Sequence, residues 1–294
     1  MPKYVPDITT DRWVIIAEGR TKRPTDNKPI APNVNKICVF CPGFERLPGE
    51  ELFRIGEGEP YERGWKVRVI ANKYPITDFH EVIVHSPDDE VDIDRLPLAQ
   101  IEAIINAYRA RFNANATRGH VIIFNNVGEA AGASIKHPHS QLVVVPKQIN
   151  IDTLALEPIV NVVRDNKFFV VFCPDFSQWP FEVWIAPKTR GKFFGEITDD
   201  EIKDLAFLLK ETLNRLFFHL AGAKHIHPGM PMVPFNAGPA YNYYIHHGKD
   251  WYLRIVPRLV HRAGFELGTG IQVNLVDPSD AAETLRQEVE STSS

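Results

Sequence analysis

Apolar positions along this chain change period several times, and each change marks an element. Short alternating or β-branched runs predict strands at 13–16, 67–70, 79–84, 121–124 and 142–145. Between them, Ile101, Ile104, Ile105 and Tyr108 recur at helical spacing within 98–112, which predicts a helix packing one face on a sheet. A second amphipathic helix is predicted from about residue 198 to 219. Beyond it, the Gly-rich stretch 265–271 reads as strand-like, followed by a short helix capped by Ser279.

The same order of patterns occurs twice. Glu81-Val82-Ile83-Val84 is echoed by Glu182-Val183-Trp184-Ile185, Phe124-Asn125-Asn126-Val127-Gly128 by Phe235-Asn236-Ala237-Gly238-Pro239, and Leu142-Val143-Val144-Val145-Pro146 by Leu253-Arg254-Ile255-Val256-Pro257. Three matches in one order are better explained by duplication than by chance. The expected architecture is α+β, with two fused halves divided into 1–160 and 161–294, each a mainly antiparallel sheet with a packed amphipathic helix. In this alignment Asp250 and Tyr252 fall where the first half has His139 and Gln141.

The chemistry concentrates in 119–146, a strand, a Gly/Ala-rich loop and a second strand. In extended backbone alternate side chains share a face, so His137, His139 and Gln141 point one way while Leu142 and Val144 point the other. Neutral imidazole is a competent nucleophile near pH 7, and its attack on phosphorus gives a phosphoramidate that can pass the group onward. Such a site needs donors around the phosphate. Gln141, Ser134 and the N–H groups of the small-residue loop are candidates, and Arg20 and Arg23, three apart in a Gly/Pro-bounded loop, suit phosphate oxygens or form a solvated basic turn. Cys38-x-x-Cys41 followed by Pro-Gly is a knuckle suited to a metal, a redox pair or two buried thiols.

Composition narrows the class. With 294 residues, 44% hydrophobic and 24% charged, the chain has material for one large or two medium cores. A formal charge of -4 gives no footprint for nucleic acid, and no apolar run reaches membrane-spanning length, so neither is an expected partner. Three cysteines make no disulfide scaffold, and without a signal-peptide pattern a cytoplasmic setting is the expectation.

The segment Gly132-Ala133-Ser134-Ile135-Lys136-His137-Pro138-His139-Ser140-Gln141, preceded by Phe124-Asn125-Asn126-Val127-Gly128, resembles the active-site segment of galactose-1-phosphate uridylyltransferases, nucleotidyl-transferring members of the histidine-triad superfamily. Further motifs in the family's order carry the same resemblance: Gly19-Arg20-Thr21-Lys22-Arg23-Pro24, Cys38-Val39-Phe40-Cys41, Asn72-Lys73-Tyr74-Pro75, His80 to Asp88, and Gly264 to Gly268. The resemblance implies that His139 is the nucleophile and that Gln141 steadies the phosphoryl group. By the same implication Asn126, Ser134, Arg20 and Arg23 contact phosphates, while Val39, Phe40, Asn72 and Val82 line the nucleoside pocket. Cys38, Cys41 and His137 match three ligands of the family's structural zinc; Asp89 stands where the fourth is commonly His, with His85 as the alternative. Other departures are Ser140 for a frequent Gly, Lys73 for an acidic residue in some members, and Trp251-Tyr252-Leu253-Arg254 where polar groups near the sugar are usual.

The implied activity is transfer of a nucleoside monophosphate, UMP in the family, between a nucleotide sugar and a sugar 1-phosphate through a covalent histidine intermediate, in a homodimer whose sites borrow residues across the interface. The alternatives are a phosphorylase or adenylyltransferase acting on ADP-glucose or a dinucleoside polyphosphate, and a nucleotide-binding module without turnover.

Overall fold

A computed structural model describes residues 2–7, 12–22, 38–151, 154, 156–221 and 240–288. Arg23 and the echo at 235–239 lie outside the described residues.

Two short strands, β1 (Lys3–Pro6) and β2 (Trp13–Ile16), pair with each other. The other described strands form one sheet. Its strands are β3 (Glu51–Gly56), β4 (Trp65–Ala71), β5 (Phe79–Val84), β6 (His120–Val127), β7 (His139–Val145), β8 (Val162–Asp165), β9 (Phe169–Phe172), β10 (Val183–Pro187), β11 (Tyr241–Ile245) and β12 (Leu253–Pro257). They form a 10-stranded antiparallel sheet in the order β3-β4-β5-β7-β6-β11-β12-β10-β9-β8. The second five strands, read from the far edge, repeat the topology of the first five, and the halves join where β6 pairs with β11.

Helices α1 (Leu98–Asn115) and α2 (Asp199–Ala221) connect the third and fourth strands of each half in chain order and cover one face of the sheet. The predicted stripe Ile101, Ile104, Ile105 and Tyr108 is buried there against Val69, Ile83, Leu142 and Val144. Between α1 and β5 sits a charged tie. Arg111 donates to both oxygens of Glu81 at 2.8 and 2.7 Å, and the Asn115 amide adds a third bond at 2.9 Å. The opposite, outer face carries two smaller apolar clusters, one around Phe40, Val82 and Val84 and one around Phe172, Trp184 and Tyr252.

The hydrogen-bond ladder corrects the pairing of the two halves drawn from sequence. Gln141 stands opposite Val82 and Phe124, whereas Arg254 stands opposite Trp184 and Tyr244. The equivalents of His139 and Gln141 are therefore Tyr252 and Arg254, two residues later than Asp250 and Tyr252. A shift of two leaves every side chain on its own face, so alternation in the sequence cannot detect it. The glutamate echo fails for the complementary reason. Glu81 faces α1, while Glu182 lies on the outer face with Trp184 and Arg254, so the true equivalent of Glu182 is His80.

The C-terminal reading also changes. Residues 264–269 form a short helix, α3 (Gly264–Thr269), ended by Gly270 in the left-handed region at φ 73°, and no strand follows among the described residues. The next helix, α4 (Pro278–Arg286), is capped by Asp277, whose carboxylate accepts from the Ser279 N–H, rather than by Ser279 itself.

Candidate active site

β7 sits between β5 and β6, and its alternation decides what faces where. Ser140 and Leu142 point under the helices; His139 and Gln141 point to the outer face. The loop before β7 begins with Gly128 at φ 80° and turns again through Gly132 at φ 81°, positions that favour glycine. It delivers His137 and His139 to the same end of the sheet.

The His139 ring has a defined tautomer. Its Nδ1–H donates to the His137 carbonyl at 2.8 Å, which leaves Nε2 with its lone pair. Burial pushes its pKa down to about 4, so the ring is neutral at pH 7. Phe40 meets it edge-on at 5.3 Å, and Val82 and Ile135 belong to the same apolar patch. Beside it the buried Gln141 amide is bonded through Oε1 to His80 Nε2 at 3.0 Å. Asn72 adjoins His80, with Nδ2 at 3.1 Å from Nε2, and its Oδ1 accepts from the Tyr74 N–H at 2.8 Å. Arg20 reaches this corner too, donating to the Tyr74 carbonyl at 2.9 Å.

On the inner face the same strand is anchored by a buried polar cluster. Ser140 Oγ lies 2.7 Å from His85 Nε2, 3.1 Å from Asn125 Nδ2 and 3.2 Å from the Tyr243 hydroxyl, and it also contacts the Tyr108 hydroxyl. Asn125 Nδ2 donates to the His139 carbonyl at 3.1 Å as well, so the cluster holds the backbone that carries the imidazole.

Next to the imidazole, ligand atoms of Cys38, Cys41, Asp89 and His137 all lie within 4.8 Å of one another, an arrangement able to hold a metal ion. Cys38 Sγ is 3.3 Å and Cys41 Sγ 3.6 Å from His137 Nδ1, and Cys41 Sγ is 3.5 Å from Asp89 Oδ2. Sulfur and nitrogen ligands on one tetrahedral zinc stand about 3.5 Å apart. His137 Nε2–H donates to the Ser86 carbonyl at 2.8 Å, which directs a bare Nδ1 at the thiols as a metal requires. Burial opposes ionisation of Cys38, but its polar neighbours outweigh it and lower its pKa; burial and the neighbouring Cys38 raise that of Cys41. This is the pattern of two thiols sharing one negative charge. His85 is not in the group; it is buried under β7 with Ser140 and Tyr108.

Of the residues singled out from sequence, His139, Gln141, Phe40, Val82, Asn72 and Val39 thus converge on one patch, with Arg20 at its margin. Asn126 lies on the outer face of β6 beside them, its Oδ1 accepting from Asn242 at 2.8 Å. Ser134 sits half-buried in the loop. Two contributors had gone unread. Asn242, from the second half, also bonds the Ala131 carbonyl at 2.9 Å and so fixes the loop, a contact across the seam that no local pattern announces. His80 was within reach, because it is two residues from Val82 and shares its face.

Comparison with known proteins covers the segment that carries β5 to β7 and extends over most of the chain. Residues 79–145 match the family model for the galactose-1-phosphate uridyl transferase N-terminal domain. An ADP-glucose phosphorylase of Arabidopsis thaliana is 30% identical over 97% of this chain and 93% of its own. A galactose-1-phosphate uridylyltransferase of Thermotoga maritima is 28% identical over 95% and 96%. Among solved structures, the Arabidopsis thaliana ADP-glucose phosphorylase with bound ADP-glucose superposes with a TM-score of 0.72 at 29% identity, covering 98% of this chain and 100% of that one. The paired histidines, the metal-competent knuckle and full-length relatedness lead to one assignment: the chain belongs to the galactose-1-phosphate uridylyltransferase family.

Proposed function

We propose that the chain is a two-step nucleotidyltransferase that moves UMP between UDP-glucose and a hexose 1-phosphate. In the first step His139 Nε2 attacks the α-phosphorus of the nucleotide sugar. The bond from that phosphorus to the bridging oxygen breaks, and the sugar 1-phosphate leaves with the electron pair. In the second step a phosphate oxygen of the incoming sugar 1-phosphate attacks the nucleotidyl-histidine, and the imidazole is released neutral. The observation that carries this reading is the orientation of His139: one nitrogen held by a main-chain carbonyl, the other bare on an accessible face beside the Gln141 amide. Gln141 and the loop N–H groups are the phosphoryl donors, with Arg20, Arg23, Asn126 and Ser134 assigned to phosphate oxygens. Val39, Phe40, Val82 and Asn72 are assigned to the nucleoside.

A second reading, transfer of AMP from ADP-glucose to orthophosphate, is favoured by the relatedness to the plant ADP-glucose phosphorylase in both sequence and structure. Quench-flow with label in the α-phosphate of UDP-glucose and, separately, ADP-glucose decides between them. The expected result is a labelled adduct on His139 that a sugar 1-phosphate discharges; an adduct from ADP-glucose alone, discharged by orthophosphate, selects the second reading. No adduct from either removes both.

We assign zinc to Cys38, Cys41, His137 and Asp89 as a structural ion. Bound there, it supplies a cross-link among the 38–41 knuckle, the 86–89 loop and the start of β7, and takes no part in the transfer. A homodimer belongs to the same proposal, supported by an exposed apolar run containing Phe265, Leu267 and Ile271; sedimentation tests it. A cytoplasmic setting is proposed on the free cysteines, and among the described residues no helix is long and apolar enough to cross a membrane.

A further inference from the structure

His80 lies on β5, nearly fully buried, and its two ring nitrogens have different partners. The Ile76 backbone N–H donates to Nδ1 at 3.1 Å, and a backbone N–H can only donate. Nδ1 is therefore the bare nitrogen and the ring proton resides on Nε2. That proton faces Gln141 Oε1 at 3.0 Å. An amide whose oxygen accepts from His80 must turn its NH2 group the other way. The Asn72 amide nitrogen, 3.1 Å from the same Nε2, cannot donate to a protonated nitrogen, so its N–H bonds need other acceptors. One main-chain N–H thus fixes a tautomer, the tautomer fixes an amide orientation, and the orientation presents donors to the place where phosphoryl charge develops.

The second half repeats the linkage with different residues. Glu182 precedes Trp184 by two positions as His80 precedes Val82, and Arg254 takes the place of Gln141 in the ladder. There Glu182 accepts from Arg254 Nε and Nη2, both at 2.7 Å. In both halves an outer-face residue on or just before one strand (β5, β10) clamps the key outer-face residue of its sheet neighbour (β7, β12). The clamp is thus a feature of the half, independent of which side chains perform it.

We infer that His80 is a positioning residue for the transfer: it acts through Gln141, by holding that amide with its NH2 group toward the phosphoryl site. This rests on the nucleotidyltransferase reading, and the test separates the two. Four proteins form a cycle: wild type, His80→Phe, Gln141→Ala and the double variant. The single-turnover rate of adduct formation is measured with labelled UDP-glucose and ADP-glucose. His80→Phe keeps the ring volume and should slow adduct formation on the order of 10²-fold, the scale set by misorienting one donor, with KM changed only a few-fold. In the Gln141→Ala background it should add almost nothing.

Two conservative variants remove the ambiguity of a damaged fold. His80→Asn places an amide oxygen near Nδ1, keeping the Ile76 contact but not reaching Gln141, and should be slow; His80→Gln places an N–H near Nε2 and should recover most of the rate. Independent multiplication of the two single effects, an unchanged rate in His80→Phe, or equal rates in His80→Asn and His80→Gln would each overturn the inference. A readout that needs no turnover is the side-chain amide resonance of Gln141, identified by its loss in Gln141→Ala. It should move in His80→Phe and return in His80→Gln, and an unmoved resonance overturns the positioning role even if the wild-type protein forms no adduct.

Discussion

The outer face of the sheet carries two clusters at matching places, around Gln141 in one half and Arg254 in the other. They differ in how much bonding capacity is left over. Around Gln141 the groups are neutral and partly engaged: the amide is held through its oxygen, and His139 keeps one nitrogen bare. Around Arg254 nearly everything is consumed internally. Its Nε and Nη2 go to Glu182 and its Nη1 to the Tyr244 hydroxyl at 3.2 Å. Tyr252, in the place of His139, stacks on Trp184 at 4.0 Å between ring centres and on His246 at 4.9 Å. The same strand positions thus build a site when the side chains keep unspent donors and acceptors, and a brace when they satisfy one another. Position in the fold supplies direction; leftover valence supplies reactivity.

The comparison breaks most sharply at its two central residues. His139→Ala should reduce transfer on the order of 10⁴-fold or more, while isothermal titration still detects nucleotide binding. Tyr252→Phe, which keeps the stack, should leave transfer unchanged. Next in size is the ion pair. Glu182→Ala strands a buried guanidinium and should cost about 3–5 kcal/mol of stability by urea melting, whereas replacing Glu182 and Arg254 together by Leu and Met should recover most of it. If the single variant melts like wild type, the brace is not load-carrying. Gln141→Ala should then lower kcat by an amount worth about 2–4 kcal/mol, with KM little affected.

Metal content comes next. A chelator should lower the stability of the wild-type protein by about 3 kcal/mol when zinc had been present at a hundred times its Kd, and should do nothing to Cys41→Ser. An equal response in both would remove the zinc assignment. The smallest effect is expected under β7. Ser140→Ala should cost about 1–2 kcal/mol of stability, since Tyr108 and Tyr243 remain bonded to each other at 2.6 Å, and should leave adduct formation intact.

Much of this was legible in the sequence because its period was local. The α1 stripe from Ile101 to Tyr108, the β5 run and the face shared by His139 and Gln141 follow from spacings of 3.6 and 2, and the structure reproduces them. What stayed hidden was set by pairing. The equivalence of Arg254 with Gln141 depends on a ladder register that a two-residue slip leaves invisible. The stretch 265–271 reads as strand-like from its Gly and apolar content, but among the described residues no strand pairs with it, and 264–269 close their hydrogen bonds within a short helix instead. Asn242 and Tyr243 reach the site across more than a hundred residues of chain, beyond any motif. His139 itself stands out from its surroundings, yet which of its nitrogens is left bare could be known only once the His137 carbonyl was located.

The β6–β11 ladder, running from Val127↔Tyr241 to Ile123↔Ile245, has a consequence for how the molecule can be taken apart. A fragment stopping soon after β7 would expose the whole flank of β6 as an unzipped margin of amides and carbonyls, one strand from His139. Such a fragment would recruit any extended peptide nearby, its own twin included, long before it met a nucleotide. The second half is therefore what closes the open flank of the half that carries the paired histidines.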